Sequence, residues 1–371
     1  MPKPLHIVCL DSPVPPDYGG AIDMYYKVVE LSMHWEITLH YFNYKKERNA
    51  DPLKIYCKNI YSYKRRSIIN GLLSNQPYIV ASRINQELIQ RLNLDTNPVL
   101  LEGIHCSGIL PYLKNKDRKV VIRMHNDEAE YYKQLAHSEN NYLKKIFFSL
   151  EGRRLKKYQS TIPKDLSLAC VSYTDMKVLE TDYGFTNLHF IPSFTNWQRL
   201  ESLDGLGTYC LYQGNLSVSE NSKIALWLLN EVFSKIEVPF LIAGKGISKT
   251  LEAAASKNFN VKLIKNPSGN EMDDLVKNAQ INVLPSLNNT GLKLKLLHAL
   301  FYGRHCLTNK AGITGTAFTD VACIADSPTE FIEEIKRLFT LPFSKEELHK
   351  RERLAKVYSN VENASKLNAL L

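Results

Sequence analysis

Several common signatures are missing from this chain of 371 residues. Its seven cysteines lie far apart, mostly within apolar strand-like runs, and no two of them form a C-x-x-C pair or match the spacing of metal ligands. Buried thiols in a reducing compartment therefore explain them better than disulfide bonds or a zinc site. No G-x-G-x-x-G motif occurs either, which argues against a site for a nicotinamide dinucleotide.

Long hydrophobic runs are also missing. No stretch approaches the ~18 consecutive apolar residues that a membrane-spanning helix needs. The opening sequence MPKPLHIVCLDSPVPP has a short apolar run and several prolines, which is not the pattern of a signal peptide. We therefore expect a cytoplasmic protein. Peripheral association of this protein with the inner face of a membrane stays open.

The composition is that of a folded protein with an excess of basic residues. Hydrophobic residues make up 44% of the chain and aromatic residues 10%, which excludes extensive disorder. The length favours two domains. A net charge of +9 indicates an anionic partner, such as a phosphorylated small molecule, an anionic membrane or a nucleic acid. Nucleic acid is the weakest candidate, because the basic residues are dispersed and no stacking aromatic motif accompanies them.

The first half of the chain alternates strand-like and helix-like segments. Residues 5–10 form a compact apolar run, the loop 11–20 ends in Gly19 and Gly20, and a helical pattern follows. Strand, glycine-ended loop and helix are typical of the opening of a doubly wound α/β domain. Glycines at the helix entrance let a ligand approach the backbone closely, although they also serve in a simple tight turn.

A histidine follows one of the buried strands predicted in this half. The run 120–124 is apolar, and His125, Asn126 and Glu128 come after it. Ligands bind beyond the carboxyl ends of the strands in open parallel sheets, so His125 is a candidate site residue. A purely structural role is the competing interpretation.

The periodicity lapses at residues 192–207, and a second series of alternating strands and helices then begins. We therefore predict an α/β fold of two Rossmann-like, doubly wound domains. The predicted boundaries are 1–195 for the first domain, 196–207 for a linker, 208–345 for the second domain and 346–371 for a helical tail that packs back on the first domain.

Two segments combine helical periodicity with basic residues. In 290–303, TGLKLKLLHALFYG, the leucines and alanine fall on one face, whereas Lys293, Lys295 and His298 project elsewhere. A helix N-terminus at Gly291 beside two lysines suits a phosphate group, and an ordinary helix with solvated lysines is the alternative. Segment 142–158 carries six lysines and arginines around an apolar run, which predicts either a plain surface helix or a helix that rests on an anionic membrane.

Short motifs occur in a fixed order along most of the chain. They are GG at 19–20, RMHNDE at 123–128, VSYTD at 171–175, FIPS at 190–193, YQGNLSVSEN at 212–221, LIAGKG at 241–246, VLPS at 283–286 and GLKLKLLHALFYG at 291–303. Together they resemble the motifs of two-domain glycosyltransferases with the GT-B fold, specifically the family-4 retaining group, glycosyl transferases group 1.

This resemblance implies a site in a cleft that both domains face. The C-terminal domain of such enzymes binds a nucleotide sugar, and the N-terminal domain presents the acceptor. The resemblance implies that His125 and Lys295 are catalytic, with His125 beside the transferred sugar. The implied donor-binding residues are Gly19, Gly20, Gly214, Asn215, Lys245, Thr290, Gly291, Lys293 and His298.

The sequence departs from the family pattern at four positions. The usual pair of glutamates separated by seven residues falls on Thr290 and His298, and the usual basic pair of the second domain falls on Asn215 and Asn221. The diphosphate charge must then be met by the lysines of the implied site or by backbone N–H groups. No D-x-D carboxylate pair is present, so we expect a metal-independent reaction and no cofactor apart from the donor substrate.

The function implied by the resemblance is transfer of a hexose from a nucleoside-diphosphate sugar to a glycan or lipid-linked glycan, with retention of configuration, in surface polysaccharide synthesis. Two alternatives stay open. A nucleotide-sugar epimerase on the same fold would use carboxyl groups such as Glu102, Asp127 and Glu128. A protein that binds the donor without turnover would explain the missing glutamates.

Overall fold

The computed structural model describes residues 2–43, 48–66, 76–139, 141–316 and 319–371. The chain divides into two compact units. The first unit comprises Met1–Asn196, Thr290–Leu292 and Val357–Leu371, and the second comprises Trp197–Asn289 and Lys293–Lys356.

The described residues form strands that alternate with helices. The strands are β1 (Lys3–Cys9), β2 (Trp35–Asn43), β3 (Cys57–Lys64), β4 (Val99–Glu102), β5 (Val120–Met124), β6 (Ser167–Cys170), β7 (Leu188–Phe190), β8 (Cys210–Gln213), β9 (Phe240–Gly244), β10 (Val261–Lys265), β11 (Ile281–Val283), β12 (His305–Thr308) and β13 (Cys323–Ile324). The α-helices are α1 (Gly19–Leu31), α2 (Tyr78–Ala81), α3 (Gln86–Leu92), α4 (Glu128–Ser138), α5 (Tyr142–Gln159), α6 (Tyr173–Tyr183), α7 (Ser219–Trp227), α8 (Lys249–Ala255), α9 (Gly269–Asn278), α10 (Leu294–Tyr302), α11 (Lys310–Ile313), α12 (Pro328–Phe339), α13 (Lys345–Val357) and α14 (Asn360–Asn368).

Each unit is built on one parallel sheet. The strand order is β3-β2-β1-β4-β5-β6-β7 in the first unit and β10-β9-β8-β11-β12-β13 in the second. Both orders run outward from a central pair, β1 and β4 or β8 and β11, which is the doubly wound arrangement. The prediction of two doubly wound α/β domains is confirmed. Ligands of such sheets bind beyond the carboxyl ends of the central pair, where the winding reverses.

The first sheet is covered on both faces. On one face, Met24 and Val28 of α1 and Leu367 of α14 join Ile7 and Leu100 in a single buried cluster. On the other face, a second cluster unites side chains of α3, α6 and the sheet, including Leu88, Leu92, Leu179, Val8, Leu101 and Ile122. Burial on both faces explains why these strands read as continuous apolar runs.

The C-terminal tail predicted at 346–371 belongs to both units rather than to one. Residues Val357–Leu371 are part of the first unit, whereas α13 lies in the second up to Lys356. Within the first unit, the Trp35 indole N–H donates a hydrogen bond of 2.7 Å to the Asn368 side chain and so holds α14 in place.

Nearly all of the predicted linker, 196–207, is an integral part of the second unit, which begins at Trp197. The Trp197 ring stacks on His298 with ring centroids 4.6 Å apart, and Gly205 pairs with Phe343 in an antiparallel bridge. These contacts involve partners far along the chain, so the local loss of periodicity did not indicate them.

The segment 290–303 corrects the sequence prediction in two respects. Helix α10 begins at Leu294 instead of Gly291, because Gly291 has a left-handed backbone with φ of 65°. The helix is also not amphipathic, since every residue from Leu296 to Tyr302 is buried, including His298. No helix in the described part of the chain is both long and apolar enough to cross a membrane.

Candidate functional site

A fully buried network of four charges lies at the central strand pair of the first unit. Asp23 and Lys27 come from α1, Glu102 ends β4 and Arg123 lies on β5, and each is 0% exposed. The Lys27 Nζ donates to Asp23 Oδ2 at 2.6 Å and to Glu102 Oε2 at 3.0 Å. The Arg123 guanidinium donates to both oxygens of Asp23, at 2.9 and 3.1 Å. Two cations thus balance two carboxylates.

The network has a clear electrostatic consequence for Asp23. Burial by itself would raise the pKa of this carboxyl, but Arg123, Lys27 and His125 together hold the pKa well below its usual range. The carboxylate also accepts the Phe194 N–H at 2.8 Å. Asp23 is therefore an ionised group that ties α1 to the sheet and to the loop after β7.

His125 is the member of this region that reaches solvent. Its side chain is 12% exposed, with Nε2 3.3 Å from Glu102 Oε2 and Nδ1 3.7 Å from Asp23 Oδ2. Ligand atoms of His125, Asp23 and Glu102 lie within 4.8 Å of one another, a spacing that suits a metal ion. However, Lys27 and Arg123 together already neutralise both carboxylates, and a divalent cation would have to displace the Lys27 ammonium that lies between them.

Sequence patterns indicate His125 and Glu102 as candidate residues but not the network that supports them. Two signals were present: opposite charges at Asp23 and Lys27, four residues apart on an otherwise apolar helix face, and Arg123 within an apolar strand. Neither signal identifies the partners of these charges, because the network joins residues that lie far apart in the sequence.

The glycines of the first loop lie where the sequence predicted them, at the start of α1. The helix begins at Gly19 directly after the loop that follows β1, and no side chain caps its first N–H groups. Arg48 orders this loop by donating to the Asp17 carboxylate at 2.6 Å and to the carbonyls of Ser12 and Pro15. A helix start at the carboxyl end of a central strand is a suitable anion site.

A second polar cluster of the first unit surrounds Gly291. The Gly291 N–H donates to Asp175 Oδ2 at 2.9 Å, and a Cβ at this position would lie 2.1 Å from Asn126 Oδ1. The Asn126 amide in turn donates to Glu128 Oε1 at 3.2 Å. Glycine is therefore required here both by the backbone conformation and by the close approach. Thr290, the neighbour at the family's first glutamate position, is buried.

Glu128 in this cluster is a carboxyl group that titrates near neutrality. Burial is the main cause of the rise of its pKa to about 7; the Asn126 hydrogen bond opposes the shift, and the nearby Asp127 and Asp175 add to it. No lysine or arginine among the described residues lies within ion-pairing distance of it.

In the second unit, glycine turns after two neighbouring strands pack on each other. Gly214 follows β8, and the loop that begins at Gly244 follows β9, where the Lys245 carbonyl accepts the Leu216 N–H at 2.7 Å. A Cβ on Gly244 would lie 1.9 Å from the Gly214 carbonyl oxygen. Asn215 accepts both the N–H and the hydroxyl of Ser217 and thereby closes the first turn.

Lys295, in the first turn of α10, faces the same turn. Its Nζ donates to Asn221 Oδ1 at 3.2 Å, lies 3.5 Å from the Tyr212 hydroxyl and stands 5.0 Å from the Tyr212 ring centre. Burial is the main reason why the pKa of Lys295 falls to about 8; Glu220 opposes the shift and Lys293 adds to it. Asn221, at a basic position of the family, therefore links the Gly214 turn to Lys295.

His298 is enclosed by protein groups. The side chain is 6% exposed, its Nε2 is 2.8 Å from Asp273 Oδ1 and its Nδ1 is 3.3 Å from the Gln213 amide nitrogen. With the ring also stacked on Trp197, both nitrogens face side chains of the second unit. A direct contact with a ribose would require one of these partners to move.

The predicted site residues thus form one group in each unit. Gly19, Gly20, His125, Thr290 and Gly291 belong to the first unit, and Gly214, Asn215, Lys245, Lys293, Lys295 and His298 belong to the second. Several of them follow strands directly: His125 comes after β5, Gly214 after β8 and Lys245 after β9. Their individual roles stay predictions.

Comparisons with known proteins agree with the two-domain α/β fold. Residues 207–340 match the model of a family described as Glycosyl transferases group 1. A relative, an uncharacterized 44.6 kDa protein in the cps region of Klebsiella pneumoniae, is 28% identical over 348 residues, which cover 89% of each chain.

Solved structures align over nearly the whole chain. Sucrose-phosphate synthase from Thermosynechococcus elongatus matches with a TM-score of 0.67 at 12% identity, covering 99% of this chain and 94% of that one. A mutant of S. aureus TarM, in complex with fondaparinux, alpha-GlcNAc-glycerol and UDP, matches with a TM-score of 0.64 at 10% identity, covering 100% and 99%.

These matches confirm the GT-B fold, and they confirm the resemblance to group 1 glycosyl transferases for residues 207–340. At such low identity, the solved structures establish the fold alone. The family match together with the fold supports a glycosyltransferase.

Proposed function

We propose that the protein is a glycosyltransferase that moves a hexose from a nucleoside-diphosphate sugar to a hydroxyl of a glycan or lipid-linked glycan, with retention of configuration and without a metal. Three findings support this function: the family match of residues 207–340, the UDP bound to the TarM structure, and the cps region in which the K. pneumoniae relative is encoded. The last finding also supports a role in surface polysaccharide synthesis.

The observation that carries the proposal is the environment of Lys295. Its hydrogen-bond partners, Asn221 and Tyr212, are neutral. Within the described ranges, no carboxylate lies close enough to form an ion pair with it, and Glu220 acts on it from a longer distance. Such an ammonium gains most from an anionic ligand, and a diphosphate is the anion that a sugar nucleotide supplies.

The same residues give a chemical role in the reaction. When the bond to the sugar breaks, negative charge develops on the departing diphosphate. Lys295, Lys293 and the N–H groups at the start of α10 would stabilise that charge without a metal ion. Lys245 and the backbone of the Gly214 turn would complete the donor site in the second unit.

In the first unit, His125 would hold the transferred sugar. It is the side chain beside the charged network that reaches solvent, and its ring nitrogens lie 3.3 Å from Glu102 and 3.7 Å from Asp23. We assign it a hydrogen bond to a sugar hydroxyl rather than general base catalysis. The first N–H groups of α1, at Gly19 and Gly20, would contribute further donors to a phosphate.

The test is nucleotide binding by calorimetry, with UDP, GDP and ADP and their hexose derivatives. Lys295→Met keeps most of the side-chain volume and removes the charge. It should weaken binding of the preferred nucleotide by roughly tenfold to a hundredfold, the value of a hydrogen bond to a charged group. Lys249→Met, at an exposed lysine of the same unit, is the matched control and should bind as the unchanged protein does. If Lys295→Met and the control bound the nucleotide with equal affinity, the proposed phosphate site at Lys295 would be wrong.

Product analysis then separates the three candidate activities. A labelled donor incubated with glycan and lipid-linked acceptors should yield a labelled glycan. Conversion of the donor into its epimer without transfer would instead support the epimerase, for which the Glu128 carboxyl is the best placed acid or base. Binding without any turnover would support the non-catalytic protein.

A further inference from the structure

Helix α5 of the first unit carries large apolar side chains that the described part of the chain leaves exposed. Its packed side is formed by Glu151, Gly152, Leu155 and Gln159, which are all buried. Toward the start of the helix, however, Tyr142, Leu143, Ile146 and Leu150 are 74%, 77%, 41% and 50% exposed. Single exposed leucines are common on protein surfaces, but four large apolar side chains within nine helical positions form a patch.

The exposed side chains follow the helical repeat. Leu143, Ile146 and Leu150 are spaced by three and four residues, so they lie in one line along the helix. The same line continues through Arg154 and Lys157 toward the end of the helix. We call these five residues the exposed stripe. Its first half is apolar and its second half is basic.

The charge of α5 has one sign wherever it meets solvent. The helix carries six basic residues, Lys144, Lys145, Arg153, Arg154, Lys156 and Lys157, and one acid, Glu151. Glu151 is 1% exposed and accepts the Ile79 N–H at 2.8 Å on the packed side. Among the residues that the structure describes, no carboxylate lies within ion-pairing distance of the six basic side chains.

We propose that the exposed stripe of α5 docks the first unit on an anionic lipid bilayer. Leu143, Ile146 and Leu150 would enter the region between the headgroups and the acyl chains, and Arg154 and Lys157 would lie against lipid phosphates. Charge complementarity selects this occupant. A second copy of the chain would bring two basic helices together, and a nucleic acid would leave the apolar half of the stripe in water.

The inference is independent of donor binding and of turnover, since it concerns a surface outside the candidate site. It is tested by co-sedimentation of the full chain with vesicles made of phosphatidylcholine alone or of equal parts phosphatidylcholine and phosphatidylglycerol. The protein should bind the anionic vesicles, bind the neutral vesicles weakly, and dissociate as salt is added, because the basic contribution is screened.

Two variants separate the halves of the stripe. Leu143→Glu, Ile146→Glu and Leu150→Glu together should lower the partition coefficient on anionic vesicles by more than about tenfold, since insertion is lost and three charges repel the surface. Arg154→Ser with Lys157→Ser should lower it by about tenfold and flatten the salt dependence. The matched controls are Leu94→Glu, at a leucine that is 83% exposed in the same unit, and Lys257→Ser with Lys262→Ser, at exposed lysines of the second unit.

All substituted side chains in the stripe are outside the packed face, so thermal melting of the variants should match that of the unchanged protein. Binding that the controls lower as strongly as the stripe variants would overturn the proposal in favour of a diffuse charge effect. Absence of binding to anionic vesicles would overturn it as well. If the chain instead forms dimers in sedimentation and Ile146→Glu dissociates them, the stripe is a contact between copies.

Discussion

Two cationic sites, one in each unit, have opposite surroundings. In the first unit, Lys27 and Arg123 are each paired with a carboxylate at hydrogen-bond distance, and the four charges of the network cancel. In the second unit, Lys295 is held by an amide oxygen and a tyrosine, and its pKa falls to about 8 chiefly because of burial. Lys27 and Arg123 are already neutralised and serve the fold, whereas we propose that Lys295, whose partners are neutral side chains, is available to an anionic ligand.

The comparison also explains why the charged network is poorly suited to be the reaction centre, although Asp23, Glu102 and His125 have the spacing of metal ligands. The carboxylate oxygens of Asp23 already accept hydrogen bonds from Lys27, from Arg123 and from a backbone N–H. Only His125 has surface that a substrate could reach. Chemistry that needs a developing negative charge to be stabilised is therefore better served at Lys295.

We expect the largest effect on stability from a substitution that upsets the charge balance of the buried network in the first unit. Arg123→Met removes one of the two cations and leaves the buried network with one uncompensated negative charge, so unfolding by urea should require about 3–5 kcal/mol less free energy. Lys58→Met breaks an exposed pair with Glu36, and should cost less than ~1 kcal/mol. If Arg123→Met were no more destabilising than this control, the network would not be the structural element that we describe.

A double substitution sharpens the same point. In Asp23→Asn with Arg123→Met, both members of the pair become neutral, so the combined loss of stability should be smaller than the sum of the single losses. Additive losses would show that the two groups do not act on each other.

Glu128 offers the reverse case, an acid whose pKa is raised to about 7 mainly by burial. Because its folded-state pKa lies above the unfolded value, its stabilising effect is present at low pH and is lost as the pH rises through about 7. Glu128→Gln keeps the oxygen that accepts from Asn126 and removes the titration. At pH 8 it should be on the order of 2 kcal/mol more stable than the unchanged protein.

Thermal melting across pH 5 to 8 measures this effect. The difference between Glu128→Gln and the unchanged protein should be much smaller at pH 5 than at pH 8, and Glu237→Gln, at an exposed glutamate, should show no pH-dependent difference. A constant difference over the whole range would mean that Glu128 does not titrate there.

The alternation of strands and helices could be predicted because it follows from the hydrophobic pattern of neighbouring residues. The strand at 120–124 was predicted residue for residue, since a strand buried on both faces is mostly apolar, and here Arg123 is the single charged residue in it. The start of α10 could not be predicted in the same way. Gly291 takes its conformation from Asp175, which is 116 residues away in sequence, and no periodicity reports that contact.

The residues of the candidate site also divide into those that local sequence patterns indicate and those that depend on contacts between distant parts of the chain. Glycines after strands and lysines near a helix start are local signals, and the structure does place Gly214 and Lys295 around one turn. The enclosure of His298 by Trp197 and Asp273 is not local, and neither is the pairing of Asp23 with Arg123. Sequence reasoning therefore identified residue types that suit a diphosphate but not which charges are already neutralised.

The pH dependence of nucleotide binding is the finest test of the difference between the units. With a pKa of about 8, Lys295 carries its charge at pH 7 and has mostly lost it at pH 9. The affinity for the preferred nucleoside diphosphate should therefore fall by roughly tenfold over that interval. Lys295→Arg keeps its charge to higher pH and should flatten the profile.

The same experiment reports on the bound state. A diphosphate beside Lys295 raises the pKa of the ammonium, because the charged form gains a partner. Binding near pH 8 must then take up protons, and calorimetry in buffers of different ionisation enthalpy measures that uptake directly. A flat affinity profile with no proton uptake would place the diphosphate away from Lys295, and the contrast between the two units would lose its functional meaning.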